Sequence, residues 1–183
     1  MPGQAHGLRT ARLFIALWPD DAARRALADC RDRHAWPPGA APVPDAKLHL
    51  TVHFIGSVPA AQVGAVAQAV AAVPARAVDL RFDRVQAWHG GLLVLLARHT
   101  PPALADLHRE LGDVLRALQL PVEGRRLRPH VTLARRADGV SPVAPQPPLR
   151  WCAQGHVLVQ SLPDGRYRVL GAGPPDAVQA AAR

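Results

Sequence analysis

Short runs of alternating apolar and polar residues, interrupted by segments with helical spacing, divide the chain into strands and helices. The stretch 101–119 is the clearest helix, because its leucines and valine recur three and four residues apart on one face. The stretch 77–88 alternates apolar and polar positions, as strands do. The pattern predicts helices at 19–34, 59–73 and 101–119. It predicts strands at 12–19, 47–56, 77–88, 91–98 and 125–136, followed by a hairpin within 151–171.

Two glycine turns indicate how the strands pair. His89-Gly90-Gly91 joins two predicted strands into neighbours, and Asp164-Gly165 is a hairpin signal. The chain has no glycine-rich phosphate loop and no nucleophile elbow. The order of elements therefore predicts an α+β fold with mainly antiparallel sheets rather than a doubly wound parallel sheet.

The composition is that of a single domain. The 183 residues are 49% apolar and can bury a core, so we expect one domain over 1–183 with loose tails at 1–10 and 174–183. No apolar run approaches the ~20 residues that span a bilayer, and the start lacks a signal-peptide pattern. Cys30 and Cys152 form neither a disulfide framework nor a zinc pattern. We expect a cytoplasmic monomer without membrane contact.

The net charge of +8 has two readings. A basic surface suits a polyanion such as nucleic acid. The chain also has one lysine, Lys47, against 21 arginines, which is typical of a biased genome. Charge alone leaves both readings open.

The segment 47–56, KLHLTVHFIG, carries unusual polar residues for an apolar strand. His49, Thr51 and His53 alternate with apolar residues, so strict alternation would place all three on one face. The pattern recurs as HVTL at 130–133, where His130 and Thr132 again share a face. Two matching strands 81 residues apart predict two related lobes, each lending one histidine and one threonine to a shared cleft.

Two imidazoles and two hydroxyls are suited to acid–base chemistry on a phosphodiester. One histidine can accept a proton while the other donates one, on opposite sides of the phosphorus. Threonine hydroxyls can donate hydrogen bonds to the phosphate oxygens. No carboxylate or cysteine stands at ligand spacing beside these histidines, so a metal site is the weakest option and we expect no cofactor.

The two motifs, KLHLTVHFIG and RPHVTLAR, resemble those of the two-histidine (2H) phosphoesterase superfamily. The resemblance is strongest to its RNA 2',3'-cyclic phosphodiesterases, historically called 2'-5' RNA ligases, and it extends over RLFIALWPDDAARRAL, LHRELGDVLRALQL and GRYRVL. It implies two related α+β lobes, each a mainly antiparallel sheet with helices packed outside, around a central cleft. It also implies hydrolysis of a terminal 2',3'-cyclic phosphate on RNA to a 2'-phosphomonoester, with 2'-5' ligation as the reverse reaction.

The resemblance also implies roles for individual residues. His49 would donate the proton to the leaving oxygen and His130 would accept the proton of water, while Thr51 and Thr132 hold the phosphate. Arg135 matches a family arginine placed for phosphate, although strict alternation would turn it to the far face unless the strand ends or bulges there.

Four features depart from the family or stay ambiguous. Lys47 replaces a small polar residue, and His53 is unusual; it either lines the cleft as a substrate-binding residue or lies on a solvated edge. Strand 91–98 lacks the family's tryptophan, so Trp88 or Trp36 either stacks on a base or packs internally. Tyr167 either binds substrate in the cleft or caps the sheet.

Two other functions remain open from the sequence. The same site could act on a small nucleotide, such as ADP-ribose cyclic phosphate or a 2'-5' oligoadenylate. The chain could instead be a non-catalytic RNA-binding module, although both motifs are intact. The expected partner is RNA or a nucleotide ending in a 2',3'-cyclic phosphate.

Overall fold

The computed structural model describes residues 9–171 and contains three α-helices and nine strands. The carboxylate of Asp20 caps the first helix by accepting a hydrogen bond of 2.8 Å from the Ala23 amide. The longest helix begins at Pro102, where a proline costs no hydrogen bond. The helices are α1 (Asp21–Asp32), α2 (Val63–Ala72) and α3 (Pro102–Ala117), with 3₁₀ turns at Asp45–Lys47 and Ala60–Gln62.

The strands form one sheet in which every pairing is antiparallel. Their order is β7-β4-β5-β6-β3-β1-β8-β9, with the short β2 beside β6. The bounds are β1 (Thr10–Leu17), β2 (Ala41–Pro42), β3 (Leu50–Pro59), β4 (Val78–Trp88), β5 (Leu92–Ala97), β6 (His130–Arg135), β7 (Leu149–Ala153), β8 (His156–Ser161) and β9 (Tyr167–Gly171).

The sheet divides into two halves that meet at a single residue pair. β9, β8, β1 and β3 form one half, and β6, β5, β4 and β7 form the other. β3 and β6 are paired only through Leu50 and Val131. Each half contains a strand, a helix and an antiparallel neighbouring strand, β1-α1-β3 in one and β5-α3-β6 in the other. The description of the halves as two related lobes stays a prediction.

The sheet is strongly curled. Only Gln154 and Gly155 separate β7 from β8, yet these strands lie six positions apart in the strand order. In a flat sheet that separation would be ~29 Å, whereas a two-residue link spans at most ~11 Å. The two strands must therefore approach each other by curvature of the sheet.

The main core lies on one face of the sheet. Leu13, Ile15 and Leu50 are fully buried there, together with apolar residues of all three helices. A smaller apolar cluster lies on the opposite face of the first half and consists of Phe14, Ala16, Trp18, Val157 and Val159, with Tyr167 and Val169 packed against it. The rings of Phe14, Trp18 and Tyr167 on this opposite face are called the aromatic floor below.

The predicted α+β, mainly antiparallel fold is confirmed, and each predicted helix has its counterpart. The hairpin prediction was wrong in part: β8 and β9 pair around Asp164-Gly165, but 149–153 forms β7 and pairs with β4. The predicted tails lie outside the described residues except for Arg9 and Thr10, and Thr10 begins β1.

Candidate active site

The register of the two central strands brings the motifs together. Leu50 pairs with Val131 in antiparallel fashion, so Thr51 lies beside His130 and His49 beside Thr132 on one face. The structure therefore places the four predicted catalytic side chains at one junction between the halves.

Both motif strands contain a β-bulge immediately after the threonine. In β3, Thr51 pairs with Ala16 and His53 with Ile15, which leaves Val52 unpaired. In β6, Thr132 pairs with Val94 and Ala134 with Leu93, so the extra residue there is the one after Thr132. A single extra residue reverses the faces of all residues that follow it.

The bulge in β3 overturns the predicted face of His53. His53 is 3% exposed and lies against α3, where its Nε2–H donates to the His108 carbonyl at 2.8 Å and the two rings stack at 4.1 Å. Phe54, which strict alternation would place on the opposite face with Leu50 and Val52, is 47% exposed. His53 therefore lies neither on a solvated edge nor on the face of His49 and Thr51, although its ring borders the groove described below. Its substrate-binding role stays a prediction.

The bulge in β6 gives Arg135 the position that its predicted role requires. Leu133 and Ala134 are both buried, and Arg135 is exposed on the face of His130 and Thr132. The positive charge of Arg135 is near enough to contribute to lowering the pKa of His49.

His49 immediately precedes β3 and is enclosed by aromatic rings. Phe14 stacks on its ring at 4.9 Å and Trp18 at 5.6 Å between centroids. Its Nδ1–H donates to the Lys47 carbonyl at 2.6 Å, and its Nε2 lies 3.1 Å from the Thr51 hydroxyl. The Nδ1 contact leaves Nε2 as the atom free for chemistry.

The environment strongly favours the neutral form of His49. Burial lowers its pKa to about 4, and the charges of His130 and Arg135 contribute in the same direction, against the raising effect of the hydrogen bond to Lys47. Electrostatic coupling of this kind requires the rings of His49 and His130 to lie near each other.

His130 is held in the same manner but in a more open setting. Its Nδ1–H donates to the Arg128 carbonyl at 2.7 Å, and the ring of Trp88 lies 4.6 Å away. Burial lowers the pKa of His130 as well, with a further lowering by the charge of Arg128. At neutral pH the Nε2 atom of His130 therefore carries a lone pair.

A groove of about 420 Å³ opens between the halves beside His130. Thr51 and Phe54 line it from one half, and Trp88 lines it from the other. The Arg128 guanidinium lies 4.7 Å above the Trp88 ring. Together with Arg128, Arg125 and Arg126 form the basic rim of this groove.

The ambiguous aromatic residues separate clearly in the structure. Trp88 borders the groove, whereas Trp36 packs against His34, 5.4 Å away, outside the site. Tyr167 meets His49 edge-on at 5.7 Å and packs on the floor with Phe14. Tyr167 thus lies at the site, and its substrate contact stays a prediction.

Phe14 and Trp18 were not singled out by the sequence, although they enclose His49. The apolar run 13–18 has no regular alternation, because the first half of the sheet is buried on both faces there.

Within 9–171, no three His, Cys, Asp or Glu side chains are grouped so as to hold a metal ion. No helix of that region is both long and apolar enough to cross a bilayer.

Comparison with known proteins gives a family and a set of related folds. Residues 18–149 match the sequence profile of the 2'-5' RNA ligase superfamily. No curated protein sequence matches the chain at a significant level. Among solved structures, E. coli LigT bound to 3'-AMP is 25% identical, with a TM-score of 0.76 over 90% of this chain and 97% of LigT.

Two further structures have the same fold. A protein of Thermus thermophilus is 26% identical, with a TM-score of 0.70 over 87% of this chain and 94% of its own. A protein described as a phosphoesterase has a TM-score of 0.78 at 24% identity, covering 90% of this chain and 97% of its own. The architecture around the two motifs is therefore shared by these proteins.

Proposed function

The chain belongs to the 2'-5' RNA ligase superfamily, and we propose that it hydrolyses RNA 2',3'-cyclic phosphate ends to 2'-phosphomonoesters without a metal ion. Membership of this superfamily supports phosphodiesterase activity for the chain. The observation that carries the finer proposal is the Leu50–Val131 register, which sets two His-x-Thr motifs side by side.

A nucleotide is the ligand best supported by the relatives. E. coli LigT has been crystallised with 3'-AMP and with NADP+. The groove beside His130 combines an indole ring with arginines, which suits a nucleotide on the side from which water or a 5'-hydroxyl attacks.

His130 is proposed as the proton acceptor. Because its Nδ1–H is committed to the Arg128 carbonyl, the neutral ring presents the Nε2 lone pair to an attacking water. The lowered pKa keeps this nitrogen unprotonated at neutral pH. No rearrangement is then needed before water can be activated.

His49 is proposed as the proton donor, and it must gain its proton when substrate binds. The neutral ring accepts a hydrogen bond from Thr51, whereas the charged ring donates from Nε2. A bound phosphate anion raises the pKa of a nearby histidine and so favours the charged form. Protonation of His49 would also release the Thr51 hydroxyl to donate to the phosphate.

The reaction conserves atoms and charge between the two histidines. The water oxygen bonds to phosphorus as the bond from phosphorus to O3' breaks. His130 takes the proton of water, and O3' takes the proton of His49, leaving a 2'-phosphomonoester. Thr51, Thr132 and Arg135 would stabilise the charge on the non-bridging oxygens. A 5'-hydroxyl in place of water would give a 2'-5' bond.

The experiment that tests the proposal measures turnover of a short RNA ending in a 2',3'-cyclic phosphate, with EDTA present. His49→Ala and His130→Ala should each lower kcat by about 10²–10⁴-fold, the usual contribution of a positioned acid or base. His99→Ala is the matched control, because His99 is exposed, belongs to neither motif and does not line the groove beside His130. Near-full activity in either motif variant, or none in the parent chain, would contradict the proposal.

A further inference from the structure

Lys47 is the lysine or arginine nearest in sequence to the first motif. It is the single lysine among 22 basic residues, and it lies two positions before His49. Its backbone carbonyl holds the Nδ1–H of His49, so the main chain at this residue is fixed against the site. The side chain is then free to serve a separate purpose.

The ammonium group of Lys47 lies on the His49 side of the site. It is 5.5 Å from the centre of the Tyr167 ring, and Tyr167 meets His49 edge-on. It also lies next to Gly165, at the turn between β8 and β9, since a Cβ added there would be 3.7 Å from Nζ. The ammonium thus sits at the rim of the aromatic floor.

The described residues offer this ammonium no carboxylate. Asp45 pairs with Arg31 at 2.6 Å, and Asp164 pairs with Arg166 at 2.7 Å. Throughout 9–171, no carboxylate oxygen lies within 4.0 Å of Lys47 Nζ. A half-buried cation beside a phosphate site and without a counter-charge is suited to a second anion.

The proposed reaction determines which part of an RNA reaches this side. His49 protonates O3', which belongs to the terminal ribose, while water approaches from the side of His130. The ribose and everything 5' of it therefore lie towards His49, Tyr167 and Lys47. One nucleoside separates the reacting phosphate from the next phosphodiester. The Tyr167 ring lies 5.7 Å from the His49 ring and 5.5 Å from the Lys47 ammonium, so the ammonium is on the correct side of the site but set back from His49.

We propose that the Lys47 ammonium binds the phosphodiester on the 5' side of the terminal nucleotide. This inference rests on the proposed function and extends it to substrate choice. A cyclic nucleoside monophosphate lacks that phosphodiester, whereas every RNA end has it. Lys47 is thereby a specificity determinant for RNA over the small cyclic nucleotide.

The test compares kcat/KM for a nucleoside 2',3'-cyclic phosphate with that for a dinucleotide ending in the same group. The parent chain should prefer the dinucleotide. Lys47→Met should cut kcat/KM for the dinucleotide about tenfold or more, the usual value of a hydrogen bond to a charged group, and leave the mononucleotide unchanged. Lys47→Arg should keep most of the preference.

Controls separate this role from structural and general effects. Arg109→Met removes one charge from the exposed surface of α3 and should leave the ratio of the two kcat/KM values unchanged. An equal loss on both substrates in Lys47→Met would mean that the side chain acts through His49, and an unchanged ratio with a lower Tm would mean packing on Tyr167. Either result overturns the inference, whereas an inactive parent chain overturns the proposed function itself.

Discussion

The protonation state of each histidine in this site is set mainly by how closely other side chains enclose its ring. Phe14 and Trp18 stack on the His49 ring and keep water from it, so the charged form loses hydration without gaining a carboxylate partner. His130 has one aromatic neighbour, Trp88, and an open groove. The pair is therefore asymmetric although the two sequence motifs are nearly the same.

This asymmetry predicts an acidic optimum for kcat/KM. The reaction requires His49 charged and His130 neutral, and both pKa values lie below the ordinary 6.5, that of His49 at about 4. The rate follows the fraction of His49 that is charged multiplied by the fraction of His130 that is neutral, and this product is largest between the two pKa values. We therefore expect kcat/KM to peak between about pH 4 and 6.5 and to fall at higher pH. Initial rates at constant ionic strength from pH 4 to 8.5 measure this.

The same argument separates kcat from kcat/KM. Because the bound phosphate anion raises the pKa of His49, the decline of kcat should occur at higher pH than the decline of kcat/KM. Coincident declines, or a kcat/KM optimum above pH 7, would contradict the proposed protonation states.

At the residue scale, the sequence predicted the identity of the motif residues but not all of their surroundings. His49, Thr51, His130 and Thr132 meet as the repeated pattern predicted. His53 did not follow, because a bulge depends on pairing with β1 and leaves no local mark in an alternating pattern.

Among the elements, α3 and β3 meet through a histidine rather than through aliphatic side chains alone. The His53 ring occupies the space beside Gly112, where an added Cβ would lie 3.6 Å from the ring atoms. The His53 ring also donates to the His108 carbonyl. The contact between α3 and β3, here called the seam, therefore combines close packing with one buried hydrogen bond. The seam supports the strand that carries the first motif.

Gly112 offers a matched pair of substitutions. Gly112→Ala should raise the free energy of unfolding by about 0.5–1 kcal/mol, since alanine favours a helix interior and its Cβ meets ordinary contacts. Gly112→Leu should lower it by about 1–3 kcal/mol by overpacking against His53. Urea unfolding with unchanged m-values measures both. Equal effects of the two substitutions would show that the seam has room to spare.

Element types were predictable from periodicity, whereas partners of isolated strands were not. The glycine turns correctly paired β4 with β5 and β8 with β9. β7 precedes β8 closely in sequence but pairs with β4, and this pairing is possible only because the sheet is strongly curved. β2 was missed because a two-residue strand in a proline-rich segment has no period to read.

For the molecule as a whole, burial of histidines links stability to pH. Burial lowers the pKa values of five histidines, including His156, whose Nε2–H donates to the Val70 carbonyl at 3.0 Å. The other four are His49, His53, His108 and His130. In the unfolded chain each would titrate near 6.5.

Acidification should therefore destabilise the protein. Below pH 6.5 the unfolded chain binds more protons than the native one, so stability is complete above that pH and is lost as pH falls towards 4. One pKa unit is worth about 1.4 kcal/mol, and each kcal/mol moves Tm by about 2–4 °C at this size, so Tm should fall by several degrees from pH 7 to pH 4.5.

Calorimetry at matched ionic strength measures this, with His156→Gln as the comparison because the amide keeps a donor for Val70. That variant should lose less Tm on acidification than the parent chain. A parent Tm that is constant or higher at pH 4.5 would contradict the linkage.

The fold class was predictable at this scale because it follows from element order, whereas the curl was not. The short connection through Gln154 and Gly155 gives that curl a mechanical consequence. It ties the edge strand β7 of one half to β8 in the interior of the other. Because a two-residue link spans at most ~11 Å, hinged opening of the halves cannot carry these strand ends further apart than that. We therefore expect the opening above the two imidazoles to change little in width when a ligand binds.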